Sequence, residues 1–109
     1  MADKKKIYLF CSAGMSTSML AANMQQSADA HKLPIEVKAF PINKVVDIAS
    51  EEHPACVLLG PQAGYQLEET KAALDPMGIP CAVIDQQLYG MMDGEAVLKA
   101  AIKVIKANK

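Results

Sequence analysis

One of the three cysteines differs from the others in what surrounds it. The segment Cys11-Ser12-Ala13-Gly14-Met15-Ser16-Thr17-Ser18 follows a short apolar run and leads into an amphipathic stretch. Its residues are mostly small and hydroxylic. Gly14 permits backbone angles that other residues avoid, and small side chains let successive N–H groups converge on one point. The helix expected after the loop adds its unpaired N–H groups and the positive end of its dipole. Together these make an anion cradle suited to phosphate, with Ser12, Ala13, Gly14, Met15, Ser16 and Thr17 as phosphate-binding residues and Cys11 at its mouth. The same donors stabilise a thiolate. Cys11 therefore reads as the nucleophile of a covalent phosphoryl transfer, in which sulfur attacks phosphorus while the cradle holds the oxygens.

A cysteine at a strand end is also commonly no more than a small core hydrophobe. The loop is what separates Cys11 from Cys56 and Cys81, which sit inside apolar runs and read as packing. Three thiols cannot all pair, and a reducing cytosol would keep them free. Their spacing, with only two histidines, fits no zinc pattern. The loop lacks both G-x-x-x-x-G-K-[ST] and G-x-G-x-x-G, so nucleotide binding is not indicated, and no metal or other cofactor is expected.

The chain contains no arginine: all 11 basic residues are lysine, against 12 acidic residues, for a net charge of −1. That balance excludes a broadly basic nucleic-acid binder. It also bears on the loop. Phosphatases that work through a cysteine carry an arginine six residues after it, and here that position is Thr17. Without a guanidinium fork, hydrolysis loses its bidentate clamp on the transition state. No general acid for the leaving group stands out; Asp85 is a candidate. A loop that accepts a phosphoryl group but hydrolyses it poorly suits a phosphoryl carrier. Two alternatives stand beside that reading. One is a low-molecular-weight cysteine phosphatase or arsenate-reductase-like enzyme; the other is an anion-binding module in which Cys11 only packs.

The elements that must position this loop alternate regularly. Ile7 to Phe10 reads as a strand, Ser16 to His31 as a helix with Met19, Leu20, Met24, Ser27 and Ala28 in one stripe, and Ile35 to Phe40 as a second strand. The alternation of Ile35, Val37 and Ala39 with Glu36 and Lys38 suggests an edge or one exposed face. Asn43 to Glu52 follows as a helix, with Val45, Val46 and Ala49 inward. Ala55 to Leu59 is uniformly apolar and predicts a central strand. Ala63 to Leu74 is a third helix, Cys81 to Ile84 a fourth strand, and Asp85 to Gly90 a loop or helical turn. The last helix runs from Gly94 to Ala107, with Asp93 as its N-cap and Glu95 four residues before Lys99. The pattern predicts a single-domain α/β fold over residues 1–109: an open four-stranded parallel sheet in the order 2-1-3-4 with helices on both faces. In such sheets the ligand sits beyond the carboxyl ends of the strands where the order reverses. That places Cys11–Thr17 and Gly60–Gln62 together. With 109 residues, 51% hydrophobic and 21% charged, the chain has ordinary globular composition. No apolar run approaches the ~20 residues of a membrane span. The apolar stretch after the charged N-terminus is too short for a signal peptide, so a cytoplasmic location is expected.

Residues Ile7 through Ser18 closely resemble the start of the IIB component of the lactose/cellobiose (diacetylchitobiose) class of the bacterial sugar phosphotransferase system. The similarity continues through Ala39-Phe40-Pro41, Val57-Leu58-Leu59-Gly60-Pro61-Gln62, Val83-Ile84-Asp85, Leu88-Tyr89-Gly90, Asp93-Gly94 and Val97 to Ala101. The resemblance implies a phosphotransferase that takes phosphate from a histidine of the IIA component, holds it as phosphocysteine, and passes it to a sugar imported by the membrane IIC component. By the motif, the phosphocysteine maps to Cys11 and the cradle to Ser12 through Thr17. The sugar would be a β-linked disaccharide of the cellobiose, diacetylchitobiose or lactose type. IIA and IIC are the implied partners, with no nucleic acid and no membrane span in the chain itself.

Several neighbours have two readings. Pro61 and Gln62 could touch phosphate or simply start a helix. Tyr89 could border the site or be half-buried packing. Met15 and Met19 could rim a docking surface, whereas Leu20 reads as core. Lys4 to Lys6 is a solvated run. His31 and His53 read as surface residues at helix ends, so the phosphohistidine would come from the partner.

Overall fold

Each apolar run in the chain becomes a strand whose neighbours are reached through a helix, because parallel pairing demands a crossover. The computed structural model describes residues 5–11 and 14–107. The elements are β1 (Lys5–Cys11), α1 (Gly14–Ala30), β2 (Ile35–Pro41), α2 (Val45–Glu52), β3 (Cys56–Leu59), α3 (Leu67–Leu74), β4 (Cys81–Val83), α4 (Gln86–Gly90) and α5 (Gly94–Ala107). The sheet has the order β2-β1-β3-β4, and all three pairings are parallel. This is the α/β arrangement that the alternation predicts.

The twofold periodicity of the strands divides the core between two faces. Ile7, Leu9, Val37, Cys56 and Leu58 pack beneath α1 and α5, against Leu20, Met24, Val97, Leu98 and Ala101. Tyr8, Phe10, Val57 and Leu59 point the other way, into a second layer with Val45 and Ala49 of α2 and Leu74 of α3. Helices thus cover both faces. β3 is buried at every position, whereas β2 alternates along the sheet edge. α5 meets α1 at Gly94, where a Cβ would lie 2.6 Å from the backbone carbon of Asn23. Asn23 also donates from Nδ2 to the Met92 carbonyl at 3.1 Å, tying the two ends together. As the sequence suggests, the Asp93 carboxylate accepts the Ala96 N–H at 3.1 Å, and Lys99 pairs with Glu95 at 3.4 Å.

Four local expectations change. α1 begins at Gly14 rather than Ser16, so the helix reaches further into the small-residue loop. Val46 is 44% exposed, because on α2 the buried stripe runs through Val45 and Ala49 and Val46 lies outside it, about 100° around the helix from Val45 and about 60° from Ala49. Met19 is 62% exposed, since Leu20, Met24 and Ala28 fill the inward face of α1. Residues Pro61–Gln66 form a tight 3₁₀ turn before α3, where a single continuous helix is predicted. Among the described residues no helix is long and apolar enough to cross a membrane.

Candidate functional site

Cys11 is the last residue of β1, opposite Pro41 of β2, at the carboxyl end of a strand held on both sides. The ladder to β3 extends one bond beyond that strand, since the Gly60 N–H donates to the Phe10 carbonyl at 2.8 Å. This bond brings Gly60 alongside Cys11. A Cβ at Gly60 would stand 2.9 Å from Cys11 Sγ and 3.2 Å from Gln62 Oε1, so the close approach requires glycine. Pro61 then opens the 3₁₀ turn, and the Ala63 N–H closes back on the Gly60 carbonyl at 2.9 Å. The turn carries the Gln62 side chain back to the cysteine, whose thiol donates to Gln62 Oε1 at 3.5 Å. Cys11 is buried, 1% exposed, and Gln62 is exposed.

The N-terminus of α1 faces the same end of the sheet, starting three residues after Cys11. Gly14, Met15 and Ser16 form its first turn; Ser12 and Ala13 lie outside the described residues, as does the side chain of Met15. Thr17 is buried completely, and its hydroxyl lies 3.2 Å from that of Tyr89. Tyr89 comes from α4, which Asp85 caps by accepting the N–H groups of Gln87 and Leu88 at 2.9 and 3.2 Å. The Asp85 carboxylate, read in the sequence as a possible general acid, therefore serves the helix end. Tyr89, Pro61, Gln62, Gln86 and Gly90 line an open cleft of about 370 Å³.

Of the residues singled out from the sequence, the structure brings Cys11, Gln62, Thr17 and Tyr89 to one end of the sheet. It keeps Cys56 and Cys81 away, in the packed layers. Burial pushes the Cys56 thiol up to about 12 and the Cys81 thiol up to about 11, so both are inert at neutral pH. His31 and His53 are exposed at helix ends. Gly60 falls in the loop that the sequence places beside Cys11, but its close approach to the sulfur is not foreseen there. Its signal is a glycine directly after a fully apolar central strand, beside the switch point.

The arrangement holds a buried sulfur at a fixed point, starts a helix three residues after it, and offers it one side-chain amide. Residues 6–100 match the family model described as "PTS system, Lactose/Cellobiose specific IIB subunit". The chain is 39% identical over 104 residues to a galactose-specific EIIB component and likewise 39% to a cellobiose-specific EIIB component, both of Lactococcus lactis. Each match covers 93% of this chain and 95% of the relative. An oligo-beta-mannoside-specific EIIB component of Bacillus subtilis is 34% identical over 101 residues, 93% of this chain and 96% of that one. Among solved structures, a cellobiose-specific IIB protein of Borrelia burgdorferi superposes with a TM-score of 0.80 at 29% identity, covering 100% of this chain and 98% of that one. The lactose-specific IIB domain of Streptococcus pneumoniae shares the fold, with a TM-score of 0.84 at 15% identity over 94% of this chain and 98% of that one.

Proposed function

The chain belongs to the lactose/cellobiose-specific IIB subunit family of the phosphotransferase system, and from that premise we propose that Cys11 is its phosphoryl carrier. The observation that carries this reading is the placement of Cys11: a buried thiol ending a central strand, at the switch point, three residues before a helix N-terminus. In the first step the P–N bond of a phosphohistidine on IIA breaks and a P–S bond to Cys11 forms. The proton leaving the thiol is taken up by the histidine nitrogen. In the second step a sugar hydroxyl attacks phosphorus, the P–S bond breaks, and the hydroxyl proton returns to sulfur. Backbone N–H groups from Ser12 to Thr17 hold the phosphoryl oxygens, so positioning and fixed donors supply the catalysis without a metal or nucleotide.

Residues 1–109 act as one cytoplasmic IIB-type domain between IIA and the membrane component IIC. The acceptor is a β-linked disaccharide, a class supported by relatives named for cellobiose and oligo-beta-mannosides. The test is transfer of labelled phosphate from phosphoenolpyruvate through the general phosphotransferase proteins and IIA. One iodine-sensitive label on Cys11 is expected, and none in Cys11→Ser. Equal labelling of that variant would overturn the assignment. With Thr17 where cysteine phosphatases have arginine, turnover of an aryl phosphate should be absent.

A further inference from the structure

We infer that Gln62 is a phosphoryl-binding residue whose side-chain amide turns over when Cys11 is loaded, accepting from the thiol in the free state and donating to the phosphoryl group in the loaded state. This rests on the phosphocarrier reading and adds a residue and a conformational event to it. Gln62 Oε1 lies 3.5 Å from Cys11 Sγ and takes the thiol proton as a hydrogen bond. A thiol can donate; a phosphoryl group bound to the same sulfur has only acceptor oxygens. If the amide kept its orientation, it would set a carbonyl oxygen against a doubly charged group. A carboxamide is a donor at one end and an acceptor at the other, and half a turn about its last torsion exchanges them. The torsion about an sp³–sp² bond is broad and roughly twofold, so the exchange meets little resistance.

The backbone is built for this one motion. The bonds from Gly60 N–H to Phe10 and from Ala63 N–H to Gly60 pin the turn that carries Gln62. Pro61 fixes its own φ just before it. The missing side chain at Gly60 leaves room for both Sγ and Oε1 at that point. The side chain itself is exposed and borders the cleft of about 370 Å³, so its head group has space to rotate while its Cα stays in place. In the loaded state the amide N–H forms a charge-assisted bond, about twice as strong as a neutral one.

The experiment compares the intact chain with Gln62→Glu and Gln62→Ala, each loaded through IIA. In Gln62→Glu the carboxylate still accepts from the thiol but repels the phosphoryl group. Its loaded fraction at equilibrium with IIA should fall about tenfold or more, and by a smaller factor in Gln62→Ala, with thermal midpoints of the unloaded proteins within a few degrees of the parent. In the parent, the ¹⁵N–¹H resonances of the Gln62 side chain should shift strongly on loading. A Gln62→Glu protein loaded as fully as the parent, or unmoved Gln62 side-chain resonances, would overturn the inference while leaving the carrier role of Cys11 standing. Failure of the parent itself to label on Cys11 would instead overturn the carrier reading, and the role of Gln62 with it.

Discussion

Gly60 decides how near the turn after β3 can come to the sulfur of Cys11. Its absent Cβ would sit 2.9 Å from Sγ, inside any real carbon–sulfur contact. Gly60→Ala should therefore cost about 1–3 kcal/mol by overpacking and push the sulfur from its place. Urea unfolding would read the first effect, and the rate of phosphate uptake from IIA should fall by more than the stability change explains. Across the site, Tyr89→Phe strips the buried Thr17 hydroxyl of its partner, which should destabilise the fold by about 1–3 kcal/mol in the same assay. At this scale the sequence reveals Cys11 because its loop composition is local. It places Gln62, fifty-one positions away, at the same end of the sheet through the strand order, but not the contact of its amide with the thiol, because that depends on how closely two strands end side by side.

Among the elements, the strands were the most legible, since uniform or alternating apolar runs bounded by glycine and proline have few other readings. β3 and β2 show the two cases, central and edge. Helix starts were less legible. Gly14 looks like a loop residue in sequence, yet α1 begins there, because a helix can begin in residues chosen for close backbone approach. On α2 the sequence does not separate Val46 from the inward face, since a valine is apolar on either side of a helix, while Val45 and Ala49, with partly buried Ile48, pack into the second core layer. The contact of α5 with α1 yields a sharp prediction. Gly94→Ala drives a methyl against the Asn23 backbone, which cannot swing aside like a side chain. Its loss of stability should reach about 1–3 kcal/mol, measured by urea unfolding, whereas the same change at exposed Gly90, with nothing near it, should be close to neutral or stabilising.

For the molecule as a whole, stability should fall toward both ends of the pH scale, for different reasons. The Lys6 ammonium, bonded to Glu52 at 2.8 Å, holds that carboxyl below the usual carboxylate range, with help from the Tyr8 hydroxyl. A depressed carboxyl stabilises the fold above its unfolded pKa and loses that effect as pH falls through the folded value, so the loss belongs to the acid side. Glu52→Gln should show a flatter acid limb. On the alkaline side, burial and then the Glu52 charge push Tyr8 up to about 12, while burial raises Cys56 to about 12 and Cys81 to about 11. Groups raised in the fold favour it below their unfolded values and lose that contribution as pH rises toward the folded ones. The urea midpoint should decline from about pH 9 upward, and a level midpoint between pH 9 and 11 would contradict these burial effects.

The order β2-β1-β3-β4 also has a bearing on how the chain reaches its native state. None of its strand pairs can form as a hairpin; each waits for a crossover to close. β1 meets β2 only after α1 is in place, and meets β3 only after α2 as well, so the bond from Gly60 to Phe10 beside Cys11 joins parts made far apart in synthesis. Contacts of such long sequence separation form late, because loop closure must precede them. In refolding, helical circular dichroism should therefore return before the ability to take up phosphate. A chain released from the ribosome before β3 would hold every residue from Cys11 to Thr17 and still lack the second wall of the site.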